Sequence, residues 1–249
     1  MVPELGRSFG SVAGDYARGR PSWPLEAIDA TGIRADAHVL DLAAGTGTGK
    51  LTELLLSRFA RVTAVEPDDS MRSANPAPDV HAGTAESIPL EDGSVDAVFV
   101  AEAFHWFCDP PAVAEIARVL RPGGTLALLW NRAEGDTAPA AVHALMEALR
   151  VQAGPGLKRN RYFSGEWRSA FAGSRFGPIE EESFEHEHEL DRAGLVSYFI
   201  SQSVVASLPP GERDGIRAEL EREIPAGQHV RRLRAEVYWT RLGDERHGH

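Results

Sequence analysis

One segment, residues 38–59, constrains this chain more than any other. HVLDLAA (38–44) is a mostly apolar run suited to a buried strand, GTGTG follows at once, and KLTELLLSRF (50–59) then sets Leu51, Leu54 and Leu55 on one helical face. A buried strand feeding a helix through a tight turn is the opening unit of a parallel sheet covered by helices. The strand signal returns at RVTAVEP (61–67), VHAG (80–83), SVDAVFVAEA (94–103) and TLALLWN (125–131). A helical pattern, AVAEIARVLR (112–121), precedes the last of these and is stopped by Pro122, Gly123 and Gly124. Residues 35–131 are therefore expected to form a regular βα series.

The second half changes character. Residues 137–152 read as helix and 153–178 as an irregular connection of Gly, Pro and aromatics. IEEESFEHEHEL (179–190) alternates, with Phe184, His186, His188 and Leu190 on one face and glutamates on the other, as in a strand with one wet side. Helices are expected at 191–203 and 209–224, and a last strand at 234–242. His186 and His188, two apart with no third ligand at suitable spacing, read as core or interface residues and not as a metal pair.

Composition narrows the partners. In 249 residues, 26 Lys and Arg face 37 Asp and Glu, a net charge of −11 that would repel a phosphate backbone. Cys108 is the single cysteine, so no intrachain disulfide can form, and MVPELGRSFG lacks the apolar core of a secretory leader. No apolar run approaches the ~18 residues of a membrane span. A soluble cytoplasmic protein that binds neither nucleic acid nor membrane is expected.

The glycine turn departs from two nucleotide-binding patterns. Counting GxGxxG from Gly45 puts Lys50 where the third glycine belongs, and a GxxxxGK phosphate loop fails at Ala44 and again at Leu51. Glu66 ends the second strand 21 residues after Gly45, where a carboxylate can accept two hydrogen bonds from a ribose diol. A nucleoside-containing ligand is implied.

DLAAGTG, VTAVEPDDSM, AGTAESIPLEDGSVDAVFVAEAFHWF and RVLRPGGTLALLWN, in this order and spacing, resemble the class I S-adenosylmethionine-dependent methyltransferases of the type 11 group. FGSVAGDYARGRPSWP (9–24) is similar to that family's N-terminal cap. The resemblance implies an α/β, Rossmann-like, doubly wound sheet of seven mostly parallel strands with an antiparallel edge hairpin and a helical cap. It implies one domain, with a cap at 1–34, a cofactor-binding core at 35–131, and lid segments and edge strands at 132–249. The implied cofactor is S-adenosylmethionine, with S-adenosylhomocysteine as product. Asp41, Ala43, Gly45 and Gly47 would then hold its methionine end and Glu66 its ribose. Pro67 and Met71 would flank the adenine, Thr84 and Ala85 would stand at the adenine edge, and the Ala101 carbonyl would meet the ammonium. Tyr16 and Arg20 would close over the cofactor, Arg20 matching its carboxylate. Ala43 stands where a glycine is common in this loop, and GTGTGKLT is two residues longer than the usual GTGxLT.

Trp23, Phe104, His105, Trp106, Trp130 and Arg132 outline an expected small-molecule acceptor pocket. His105 is the candidate base for a hydroxyl or ammonium acceptor, whereas a carboxylate acceptor would call on a cation such as Arg132 or Arg20. Two other readings stay open at this stage. They are a cofactor-binding but catalytically silent sensing or partner-binding subunit, and a nicotinamide-dependent reductase.

Overall fold

The computed structural model describes residues 12–43, 49–154 and 162–243. After helices α1 (Ala13–Gly19) and α2 (Leu25–Asp29) come β1 (His38–Leu42), α3 (Lys50–Arg58), β2 (Arg61–Val65), α4 (Asp69–Ala74), β3 (Asp79–His81) and β4 (Val95–Ala101). Next are α5 (Phe104–Phe107), α6 (Pro110–Val119), β5 (Leu120–Asp136), α7 (Ala140–Gln152) and a 3₁₀ turn at Glu166–Phe171. The chain continues through β6 (Glu180–Asp191), α8 (Arg192–Ile200), α9 (Ser203–Ala206), α10 (Pro210–Glu223) and β7 (Gln228–Arg241).

The strands form one sheet in the order β3-β2-β1-β4-β5-β7-β6. β1 to β5 pair in parallel, and β7 runs antiparallel to both β5 and β6. Every residue of β1 is buried, His38 and Asp41 along with Val39, Leu40 and Leu42, as in a strand that helices cover on both faces. Two strands end earlier than expected for one shared reason. Ala43 (φ 59) and Glu102 (φ 54) turn the chain into the left-handed region directly after β1 and β4. β3 is shorter and earlier than the expected 80–83, and Gly83 lies outside it.

The edge pair differs more. β6 and β7 are antiparallel partners from Glu180↔Trp239 to Asp191↔Gln228, but α8 to α10 connect them, so no tight hairpin turn exists. β7 starts at Gln228 and not at 234. Its inward positions begin with His229 and Arg231, both buried, before Leu233, Ala235 and Val237 continue the face. Polar residues at inward positions hide the period-two pattern that marks a strand.

The cap is tied down by charge and by close approach. Asp15 on α1 accepts hydrogen bonds from Ser197 on α8 (2.9 Å) and Arg217 on α10 (2.6 Å), and Val12 and Tyr16 share a core cluster with Phe199 and Met71. At Gly19 a Cβ would stand 2.2 Å from the Tyr198 backbone nitrogen, so only glycine lets α1 lie this near α8. Gly19→Ala is expected to destabilise the protein by ~1–3 kcal/mol, the range for overpacking a fixed contact. A Cβ at Gly14 on the same helix would meet nothing within 4 Å, so Gly14→Ala should stabilise by up to ~1 kcal/mol through helix propensity. Urea unfolding of the two variants would show opposite signs, and equal shifts would refute the close-approach argument.

Candidate active site

Parallel strands leave their C-terminal ends open between the helices, and ligands of such sheets bind there. The register sets the ends of β1 and β4 side by side, with Asp41 opposite Phe99. Ala43 and Glu102 are the non-glycine residues with positive φ among the described residues, and both line one cavity at this edge. Left-handed backbone at non-glycine residues is strained, and two such residues at one cavity mark a site. Ala43 thus carries the conformation that the glycine common at this loop position adopts freely.

Tyr16, Arg20 and Trp23 from the cap, Asp41, Lys50 and Leu51 from the first βα unit, Ala101 and Glu102 from β4, and Asn131 from β5 surround the cavity. Tyr198 from α8 and Arg231 and Leu233 from β7 complete the wall. The Asn131 amide donates to the Ser22 carbonyl (3.0 Å), which fastens the cap linker over β5.

Lys50 and four further charged side chains set the electrostatics. Asp41 is 2% exposed and accepts a hydrogen bond from Thr52 Oγ1 at 2.5 Å. Burial pushes its carboxyl up to about 7; the Thr52 bond opposes that rise and the charge of Glu66 adds to it. Glu102 is also pushed up to about 7 by desolvation, opposed by a 2.6 Å hydrogen bond from the Asn131 backbone N–H and by the charges of Arg20 and Arg231. Arg20 donates through Nε to Ser201 Oγ (2.9 Å) and through Nη2 to the Ser201 carbonyl (2.7 Å), with its guanidinium over the Tyr16 ring. Arg231 is 3% exposed, with Cζ 3.5 Å from the Tyr198 ring centroid.

Glu66 is buried just beyond the end of β2, level with Ala43 because Leu42 pairs with Val65. Its Oε1 accepts from the Asp68 N–H (2.7 Å). Met71 is buried in the first turn of α4 and Pro67 is exposed beside it. Thr84 bridges to Ser87, and Ala85 is buried. Gly45 and Gly47 lie outside the described residues.

Among the expected site residues, Tyr16, Arg20, Trp23, Asp41, Ala43 and Ala101 line the cavity. Apart from Trp23, the expected acceptor residues sit elsewhere. Phe104 is fully buried and stacks on Phe171, because α5 turns it into the core. His105 is buried beside Trp130, whose Nε1–H donates to His105 Nδ1 at 3.3 Å, and Trp106 lies against its ring. Trp130 stacks on Tyr162 within the same core cluster. Arg132 is exposed, 3.8 Å from Glu236. None of these five is a cavity-lining residue. The short helix α5 rotates Phe104, His105 and Trp106 away from the sheet edge that a straight continuation of β4 would give, while Trp130 and Arg132 lie on β5.

Glu102, Asn131, Tyr198 and Arg231 line the cavity without having been expected from the sequence, as do Pro21, Lys50, Leu51 and Leu233. For Arg231 a signal existed: counting back by twos from Val237 and Leu233 reaches it. His186 Nε2 lies 2.7 Å from Asn131 Oδ1, and burial lowers its pKa. His188 is pushed down to about 4, first by burial and then by the charges of Arg231, Lys50 and His186. Both imidazoles are neutral near pH 7. Among the described residues no three metal-ligating side chains come together.

This strand order, with an acid in β1, an acid after β2 and a helical cap over the parallel edge, defines a Rossmann-like methyltransferase fold. Residues 42–128 match the family model described as a methyltransferase domain. The chain is 32% identical over 240 residues to an uncharacterized methyltransferase-like protein of Schizosaccharomyces pombe, covering 92% of this chain and 91% of that one. It is 53% identical over 132 residues to an uncharacterized methyltransferase of Mycobacterium tuberculosis, covering 51% of this chain and 54% of that one. The chain thus spans about half the length of the mycobacterial relatives it matches. A methyltransferase structure from Anaeromyxobacter dehalogenans shares the fold, with TM-score 0.58 at 22% identity over 91% of this chain and 99% of that one. The chain belongs to the S-adenosylmethionine-dependent methyltransferase family. No described helix is long and apolar enough to cross a membrane.

Proposed function

We propose that this chain transfers a methyl group from S-adenosylmethionine to a small-molecule acceptor. The observation that carries the reading is the convergence of Asp41, Ala101 and the cap residues Tyr16 and Arg20 on one cavity at the ends of β1 and β4. The donor set fits the cofactor. Ser201 holds two nitrogens of Arg20 and leaves Nη1 for the cofactor carboxylate. Asp41 and the Ala101 carbonyl supply acceptors for the ammonium, and Glu66 supplies acceptors for the ribose hydroxyls. When bound, the sulfonium supplies an already activated methyl group, so the protein's work is mainly positioning and exclusion of water.

At the acceptor, Glu102 takes the role that the sequence assigned to His105. It lines the cavity, the Asn131 N–H steadies its carboxylate, and its ionisation near 7 lets it take a proton from a hydroxyl or ammonium at neutral pH. Tyr198, Trp23 and Leu233 give that side an apolar wall suited to a small molecule.

Calorimetric titration tests the reading. S-adenosylhomocysteine is expected to bind with one site per chain and NAD to show no heat of binding. Binding of NAD in place of S-adenosylhomocysteine would return the protein to the reductase reading.

A further inference from the structure

Arg231 is a buried charge of the cavity with unpartnered nitrogens among the described residues. It is 3% exposed, and its Nε and Nη1 have no hydrogen-bond partner among the described residues. The two carboxyls here are held, buried Asp41 by Thr52 and half-buried Glu102 by the Asn131 N–H. With no ion pair among the described residues and only the more distant charges of Asp136 and Glu102 to offset it, this buried cation marks a position shaped for something that arrives later. Tyr198 covers one face of the guanidinium and leaves its edges for an anion. Two further unpartnered buried groups lie around it: Trp23 Nε1–H on the same cavity, and His188 Nδ1 on the cross-strand neighbour of Arg231.

We propose that Arg231 binds a carboxylate of the acceptor, with Trp23 Nε1–H as a second donor, so that the enzyme selects carboxylate-bearing small molecules. The proposal rests on the methyltransferase reading above, which gives Arg20 the cofactor carboxylate and leaves Arg231 to the acceptor. The two arginines are suited to separate tasks. Arg20 is anchored by Ser201 at the end of α8, whereas Arg231 reaches the cavity from β7, the strand that also supplies Leu233. A monoanionic carboxylate suits the site better than phosphate does. The carboxyl of Glu102 lies near enough to interact with the guanidinium, and when ionised it repels a dianion more strongly than a monoanion.

The test uses protein saturated with S-adenosylhomocysteine and titrated calorimetrically with acetate, propionate, butyrate and inorganic phosphate. Wild type is expected to bind at least one of the carboxylates more tightly than phosphate. Arg231→Gln should weaken that carboxylate roughly tenfold or more, with S-adenosylhomocysteine affinity within about a factor of three, and Arg231→Lys should recover part of the loss. Arg231→Met should unfold at no lower urea concentration than wild type, because a lone buried charge is removed; a clear loss of stability would mean that Arg231 is structural. The proposal is overturned if Arg231→Gln binds the carboxylate as wild type does, if it weakens S-adenosylhomocysteine instead, if phosphate binds best, or if none of the carboxylates binds. Failure of wild type to bind S-adenosylhomocysteine at all is a separate result, and it would refute the methyltransferase reading itself.

Discussion

Replacing Glu66 by Ala is expected to weaken S-adenosylhomocysteine binding by ~1.5–3 kcal/mol, roughly a ten- to 150-fold rise in Kd. The carboxylate is buried beyond the end of β2 and is oriented by the Asp68 N–H, so it is fixed before any ligand arrives. A ribose diol would donate two hydrogen bonds to a charged acceptor, the kind that contributes most per bond. Glu66→Gln keeps the shape and one acceptor oxygen, and it should fall between wild type and Ala. Calorimetry on variants shown to be folded by circular dichroism checks this. An unchanged Kd for Glu66→Ala would remove Glu66 from the ribose site.

The second large effect is a trade between stability and binding at Asp41. Its carboxyl ionises near 7 in the fold and near 4 in the unfolded chain, because β1 buries it. Below about pH 4 both states hold the proton and nothing is lost. As pH rises through 7 the unfolded chain is already ionised, and the folded state comes to carry a desolvated charge. Ligand-free stability therefore falls across this window, by on the order of 2–4 kcal/mol from Asp41. Asp41→Asn is expected to be more stable than wild type in urea at pH 8 and equal to it near pH 4. Its amide oxygen can still accept the Thr52 hydrogen bond. The variant should nevertheless bind S-adenosylhomocysteine more weakly by ~1–3 kcal/mol, since the charge facing the ammonium is gone. Glu102 shifts in the same direction, so a shallower pH slope should persist in the variant. If wild type and Asp41→Asn show the same urea midpoint at pH 8, the desolvation argument fails.

Local pattern determined most of the parallel half. The mostly apolar runs of β1, β2, β4 and β5 call for cover on both faces, and a short turn from strand to helix allows little besides the parallel βα arrangement. Asp41, Glu66 and Ala101 were legible for the same reason: each sits inside or at the end of such a run, so its place in the sheet follows from its place in the chain. The glutamate side of β6 was legible from its alternation.

Tertiary structure decided the acceptor side. Phe104, His105 and Trp106 follow β4 closely enough to be read as its continuation, but the left-handed turn at Glu102 and the short helix α5 carry them into the core. β7 runs against β5, so its beginning lies at the same sheet edge as the ends of the parallel strands. That reversal brings Arg231, about 190 residues after Asp41 in the chain, into the cavity that Asp41 lines. A basic residue at an inward strand position looks in sequence like a break in the strand. Only long-range antiparallel pairing, which no local periodicity encodes, turns it into a buried cation facing the site.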